Sequence, residues 1–143
     1  MTLHLIKLCV GCDSIEDLAQ WQKKRLADLK KKRRPAELIH VTRMTPKRAD
    51  ELLDGGSLYW VIKGQISVRQ RLLALRPTTR NGAPHCGLVY DSELVYLIPR
   101  TCRPFQGWRY LAAKDAPPDA RSVKGGKHLP PQLRAELAAL GLL

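Results

Sequence analysis

The run Ser57–Lys63, SLYWVIK, stands directly after Gly55-Gly56 and has the densest β-branched and aromatic content in the chain. It reads as a strand, and the elements around it can be placed outward from it. Upstream, Thr45-Pro46 marks a helix start, with threonine as cap and proline at the first helical position. Ala49, Leu52 and Leu53 would be the buried side of that short helix, and the glycine pair its stop. Downstream, Ile66–Arg76 alternates as a strand does, although RQRLLAL alone also fits a helix. The hairpin signal Asn81-Gly82 decides for the strand, with Pro84 expected to lengthen the loop. His85–Tyr90 returns as its partner, and Leu94–Arg100 follows as another strand.

Toward the N-terminus, Thr2–Val10 alternates with apolar residues on both sides, as an interior strand covered on both faces would. Gly11–Asp13 turns the chain, and Ser14 with Asp17 three residues later forms a variant capping box. Ile15, Leu18, Ala19, Leu26 and Leu29 then share one arc of about 100° on a helix, with Trp21 at the arc's edge and Arg25 flanking it. This helix should fray by Arg33, ahead of Pro35, and Ala36–Arg43 reads as the next strand. Pro104–Leu111, PFQGWRYL, is a turn leading into a short strand. Ala116–Gly126 reads as an irregular basic arm, and Leu129–Leu140 as a short final helix. The expected fold class is α+β. A mixed or largely antiparallel sheet, with a partly open barrel as one form of it, is flanked by two to three helices, with residues 1–115 as one domain and 116–143 as the arm and final helix.

The chain has 143 residues, enough for a core that buries roughly 70% of its unfolded surface. Its hydrophobic content of 44% and charged content of 27% are those of a globular protein. No apolar run approaches the ~18 residues of a membrane span, and His4 and Lys7 interrupt the N-terminal run, so neither a membrane segment nor a signal peptide is expected. A cytoplasmic location with free thiols at Cys9, Cys12, Cys86 and Cys102 follows. The formal net charge is +12, and Lys23–Arg34, KKRLADLKKKRR, supplies +7 of it. A cationic face of that density suggests a polyanionic partner, of which nucleic acid is the commonest.

Candidate chemistry is sparse. Cys9 and Cys12 form a CxxC, but a structural zinc site wants a second ligand pair, and Cys86 and Cys102 are sixteen apart. Cys12 precedes a helix start, where a thiolate is stabilised, yet no other redox feature surrounds it. Small buried thiols are the plainer reading. His85 and Cys86 are strand neighbours, whose side chains point to opposite faces. Asp50, Glu51 and Asp54 read as a solvated helix face. No metal or cofactor is therefore expected, any catalytic residue stays unassigned, and an enzyme is the less favoured class.

The motifs MTLHLIKLCVG, TRMTPKRADELLDGGSLYWVIKG, RQRLLALRP and PFQGWRYL resemble a bacterial family known as a domain of unknown function, from Met1 to about Asp115. The resemblance implies a small stand-alone cytoplasmic protein and carries no functional residues over. Lys47–Lys63, a short helix ending in glycine before a strand with a basic residue, is also similar to a branch of the PUA-like domains. That family's Gly-x-Lys and Glu-x-Arg pattern is not met.

The leading expectation is an RNA-binding module, for structured, ribosomal or transfer RNA. Lys23, Lys24, Lys30, Lys31, Lys32, Arg33 and Arg34 would contact phosphates, and Arg69, Arg71, Arg103 and Trp108 would select bases or loops. The plainer alternative for the lysines is a solvated helix face, and for the aromatics a place in the core. A competing class is a small-ligand or modified-base pocket lined by Tyr59, Lys63, Arg69 and Trp108 on a PUA-like barrel, with enzymatic chemistry an open question. A third is an adaptor that docks on a protein complex through the final helix, where Leu133, Leu137 and Leu140 stand at helical spacing.

Overall fold

The structure, a computed structural model, describes residues 2–120. It is an α+β fold in which a seven-stranded mixed sheet, open rather than closed into a barrel, carries two α-helices. The strands are β1 (Leu3–Leu8), β2 (Leu38–Thr42), β3 (Ser57–Ile62), β4 (Gln65–Arg80), β5 (Ala83–Tyr90), β6 (Val95–Thr101) and β7 (Trp108–Ala112). Helix α1 is Ile15–Lys31 and α2 is Ala49–Leu53. The strand order is β2-β5-β4-β3-β1-β7, with β6 also paired to β4. Only β1 and β3 run parallel among these pairs, because α1, β2 and α2 lie between them in the chain.

The SLYWVIK strand is the sheet's centre of gravity: every residue of β3 is buried. Its alternation divides the interior. Leu58, Trp60 and Ile62 join Leu5, Val68, Leu72 and Leu88 in one cluster, while Tyr59 and Val61 join Ile6, Ile66 and Leu97 in another. Lys63 and Gly64 then turn the chain with φ of 48° and 76°, a tight two-residue hairpin that the sequence reading ran into the strand. Asn81-Gly82 makes the second such hairpin, with φ of 53° and 78°. Arg80 pairs with Ala83 and Thr79 with Pro84, so the proline does not lengthen that loop. The long β4 resolves the ambiguity of Ile66–Arg76: it is strand throughout. Its first part pairs with β3 and β6 and its second with β5, with a bulge between Leu72 and Ala74 where the ladder changes.

The two helices are held by polar devices in an otherwise apolar setting. Ser14 caps α1 by accepting from the Asp17 amide at 3.1 Å, and Asp17 in turn accepts from the Asp13 amide at 3.1 Å. The helix is pinned to the sheet by Gln22, whose side chain exchanges two hydrogen bonds of 2.7 and 2.8 Å with Gln70. Gln70, completely buried, also accepts from the Trp60 indole at 2.9 Å and donates to the Asp91 carbonyl at 2.9 Å. Helix α2 starts later than Thr45-Pro46. No side chain caps it at Arg48; instead the Tyr110 hydroxyl accepts from the Lys47 and Arg48 amides at 2.9 and 3.2 Å. Trp108 donates to the Met44 carbonyl at 2.8 Å and holds that approach segment away from helix geometry. Gly55 ends the helix at φ 82°, and a Cβ at Gly56 would lie 2.2 and 2.3 Å from the Leu52 and Leu3 carbonyl oxygens. That glycine lets helix and sheet backbones touch.

Residues 116–120 run beside β6: the Ile98 amide donates to the Pro118 carbonyl at 3.0 Å, and Leu97 bridges to Asp119. The remainder of the basic arm and the helix expected over Leu129–Leu140 fall outside the described residues. Among the described residues no helix is long and apolar enough to cross a membrane.

His40, on β2, stands edge-on to Trp60 with ring centroids 5.6 Å apart. Burial, then the charges of Lys7 and Arg80, hold its pKa down from the ordinary 6.5 to about 4. The folded protein keeps this ring neutral while the unfolded chain takes up a proton. Its contribution to stability is complete above pH 6.5 and is lost as the pH falls from 6.5 to about 4. His4, lowered chiefly by its own burial, acts in the same direction. Discounting for partial exposure, a loss of about 2 kcal/mol between pH 7 and pH 4 is expected from His40. Thermal melts across that range check it: His40→Gln should flatten the fall.

Candidate nucleic-acid interface

Helix α1 presents its cationic face opposite its buried one. Leu18, Gln22 and Leu29 are its buried residues, whereas Lys23, Lys24, Lys30 and Lys31 lie on the far side and are exposed. Lys32, Arg33 and Arg34 extend the cluster past the helix end and are also exposed. Among the described residues none of these seven forms an ion pair; the paired arginines are Arg48, Arg69 and Arg76.

The helix ends in a Schellman motif. The Arg34 amide donates to the Leu29 carbonyl at 2.9 Å and the Arg33 amide to the Lys30 carbonyl at 3.1 Å. Arg33 sits at φ 55°, the left-handed position where glycine is the usual occupant. The fold thus places a cationic side chain where a glycine would be more stable. Arg33→Gly is expected to raise stability by about 0.5–1 kcal/mol, read from denaturant melts, while removing one cation from the cluster.

Beside this cluster lies a groove of about 300 Å³ between α1 and β2. Trp21 and Ile39, 53% and 40% exposed, form its apolar part, and Arg25, Arg34 and Arg76 its basic part. Arg76 is held by Glu37, with a hydrogen bond of 2.8 Å. A half-exposed indole between guanidinium groups offers a flat platform for a base, with charge for the adjoining phosphates. The sequence signal for this groove was present in Trp21 at the edge of the apolar arc and Arg25 four residues on, one helical turn away. What could not be read was that β2 and Arg76 close the other side.

The residues assigned to base selection do not join this surface. Arg69 pairs opposite Tyr59 and Arg71 opposite Ser57, whereas Gln70 between them faces α1. Alternation therefore puts both arginines on the sheet face turned away from the helix. Arg69 is moreover occupied: it donates to both Asp119 carboxylate oxygens at 2.8 Å and to the Ser57 hydroxyl at 2.9 Å. Arg103 is exposed in the loop between β6 and β7. Trp108 is half-buried against the core, with its indole N–H committed to Met44 and its ring edge-on to Tyr110.

The alternative pocket is not assembled either. Trp108 and Trp60 both stand opposite Lys7, so they share a face, and Tyr59 lies on the other. Lys63 is exposed in its turn.

The thiols are free. Cys9 and Cys12 pack half-buried against the main core, where burial and the neighbouring Cys12 push the Cys9 thiol well above its ordinary value. Cys86 is buried inside while its neighbour His85 lies on the outer face, its Nδ1 2.9 Å from the Ala83 carbonyl. Among the described residues no group of three or more His, Cys, Asp or Glu side chains could hold a metal ion.

A comparison with curated proteins and with solved structures finds no match to this chain. Its whole length apart from the first four residues, 5–143, matches one family model, and the chain thereby belongs to the protein family of unknown function DUF1489.

Proposed function

We propose that this protein is an RNA-binding module whose contact surface is the cationic face of α1 together with the Trp21 groove. The observation that carries the reading is the adjacency of seven exposed cations, without ion pairs among the described residues, and a half-exposed indole flanked by Arg25 and Arg34. The cations supply affinity through phosphates without sequence choice, and the indole supplies a stacking site that favours an unpaired or looped segment over a duplex. Arg33 at a position that suits glycine supports the reading, because the local backbone cost is borne for a charge.

The test is Trp21→Ala, measured by fluorescence anisotropy with a labelled single-stranded RNA. Loss of one stacked base is expected to weaken binding by about 1–3 kcal/mol, roughly 5- to 150-fold. The melting temperature should hardly move, since Trp21 is 53% exposed. Unchanged affinity with an unchanged melt would remove the groove from the contact surface.

A further inference from the structure

A concavity lies at the far end of the β4–β5 hairpin. It encloses about 800 Å³ between the end of β1, the end of β2 and the hairpin tip. Lys7 enters it from β1, Arg43 from the end of β2, and Arg80 and His85 from the two hairpin strands. No carboxylate lines it. Elsewhere Arg48, Arg69 and Arg76 each hold a glutamate or aspartate, but among the described residues Lys7, Arg43 and Arg80 hold none. Three cations from three separate elements thus line one space, with no acidic partner among the described residues. Lys7 is kept below its ordinary value by burial, and His40 behind it is held down partly by Lys7 and Arg80. The His40 effect shows that the fields of Lys7 and Arg80 overlap near this space.

We propose that this cleft is an anion site for a phosphomonoester, carried either by a free nucleotide or by the end of a polynucleotide. A phosphomonoester matches the arrangement better than a carboxylate does. It brings about two negative charges and three peripheral oxygens, one for each direction from which Lys7, Arg43 and Arg80 approach. The volume exceeds what a bare phosphate needs and lies in the range of small-ligand sites. Val41 and Pro84 give it apolar wall beside the cations, suited to a sugar or base. The site is independent of the α1 surface. Arg76 at the Trp21 groove and Arg80 at the cleft are four residues apart on one strand, so about 13 Å separates their backbones.

Calorimetric titration with adenosine monophosphate, with adenosine as the phosphate-free control, tests the proposal directly. Oligonucleotides with and without a terminal phosphate form a second arm. The expected result is that at least one phosphorylated probe binds ten times or more tightly than its unphosphorylated counterpart. Binding of the mononucleotide identifies a free nucleotide as the source; a preference seen only with the oligonucleotides identifies a chain end. The double variant Arg43→Ala with Arg80→Ala, at two exposed positions, should lose that preference. Replacing the seven α1 cations by glutamine should leave it intact, which separates this site from the RNA surface. Absence of any phosphate preference, or one that survives the double variant, would overturn the proposal.

Discussion

Replacing Gln70 by leucine is expected to destabilise the fold by about 4 kcal/mol, a drop of roughly 15 °C in melting temperature for a domain of this size. Gln70 is completely buried and all its hydrogen-bonding capacity is used. Leucine fills much the same volume, so the loss comes from what is left behind. The Trp60 indole N–H, both ends of the Gln22 amide and the Asp91 carbonyl each lose a partner in a place that water does not reach easily. Each such orphan costs about 1–3 kcal/mol, partly recovered by relaxation. Gln22→Leu removes only the reciprocal pair and should cost about half as much. The double variant should cost less than the two singles added together, because Gln22 no longer has a partner to lose. Chemical denaturation of the four proteins reads this cycle. A loss for Gln70→Leu below about 1 kcal/mol would mean that the Gln22–Gln70–Trp60 network does not hold α1 to the sheet.

Replacing Lys23, Lys24, Lys30, Lys31, Lys32, Arg33 and Arg34 by glutamine together is expected to abolish detectable RNA binding at physiological salt while leaving the fold in place. All seven side chains are exposed and make no ion pair among the described residues, so their removal takes no partner from the interior. Glutamine keeps nearly the helix propensity of lysine and arginine. Removing seven like charges from one face also relieves repulsion, so the melting temperature should hold or rise slightly. Each lost phosphate contact takes its share of the counterion-release free energy, and several together are worth a factor of 10³ or more near 0.15 M salt. Circular dichroism confirms the helix, and anisotropy reads the binding. Affinity within threefold of the parent protein would show that the α1 face is a solvated surface and no more.

The sequence made the framework readable wherever a local signal had no competitor. Asn81-Gly82 dictated a hairpin, Ser14 with Asp17 dictated a helix start, and the body of SLYWVIK, Ser57–Ile62, could only be a strand. The reading failed where tertiary partners overrode local chemistry. Thr45-Pro46 is a sound capping pair on its own, but Trp108 and Tyr110 take hold of that segment from β7 and delay the helix to Ala49. The cationic cluster was fully legible, since eight basic residues in twelve positions cannot be buried. Its aromatic neighbour was not. Arg69 and Trp108 were chosen from strand alternation and proximity in sequence, and both proved to be spent on Asp119, Ser57 and Met44. Trp21 was set aside as the edge of an amphipathic arc, because only the position of β2 shows that this edge stays open. The cationic cleft at the β4–β5 hairpin tip needed separate strand ends to meet, and sequence spacing carries no trace of that.

The salt dependence of RNA binding tests the proposed function most directly. For the parent chain and a single-stranded RNA long enough to cover α1 and the Trp21 groove, the affinity is measured by anisotropy from about 50 to 300 mM salt. Seven phosphate contacts predict that log Kd rises with log salt at a slope of about 5. The seven-glutamine variant should bind too weakly to give a slope at all. No detectable binding by the parent chain at the lowest salt, or a slope near zero, would contradict the account.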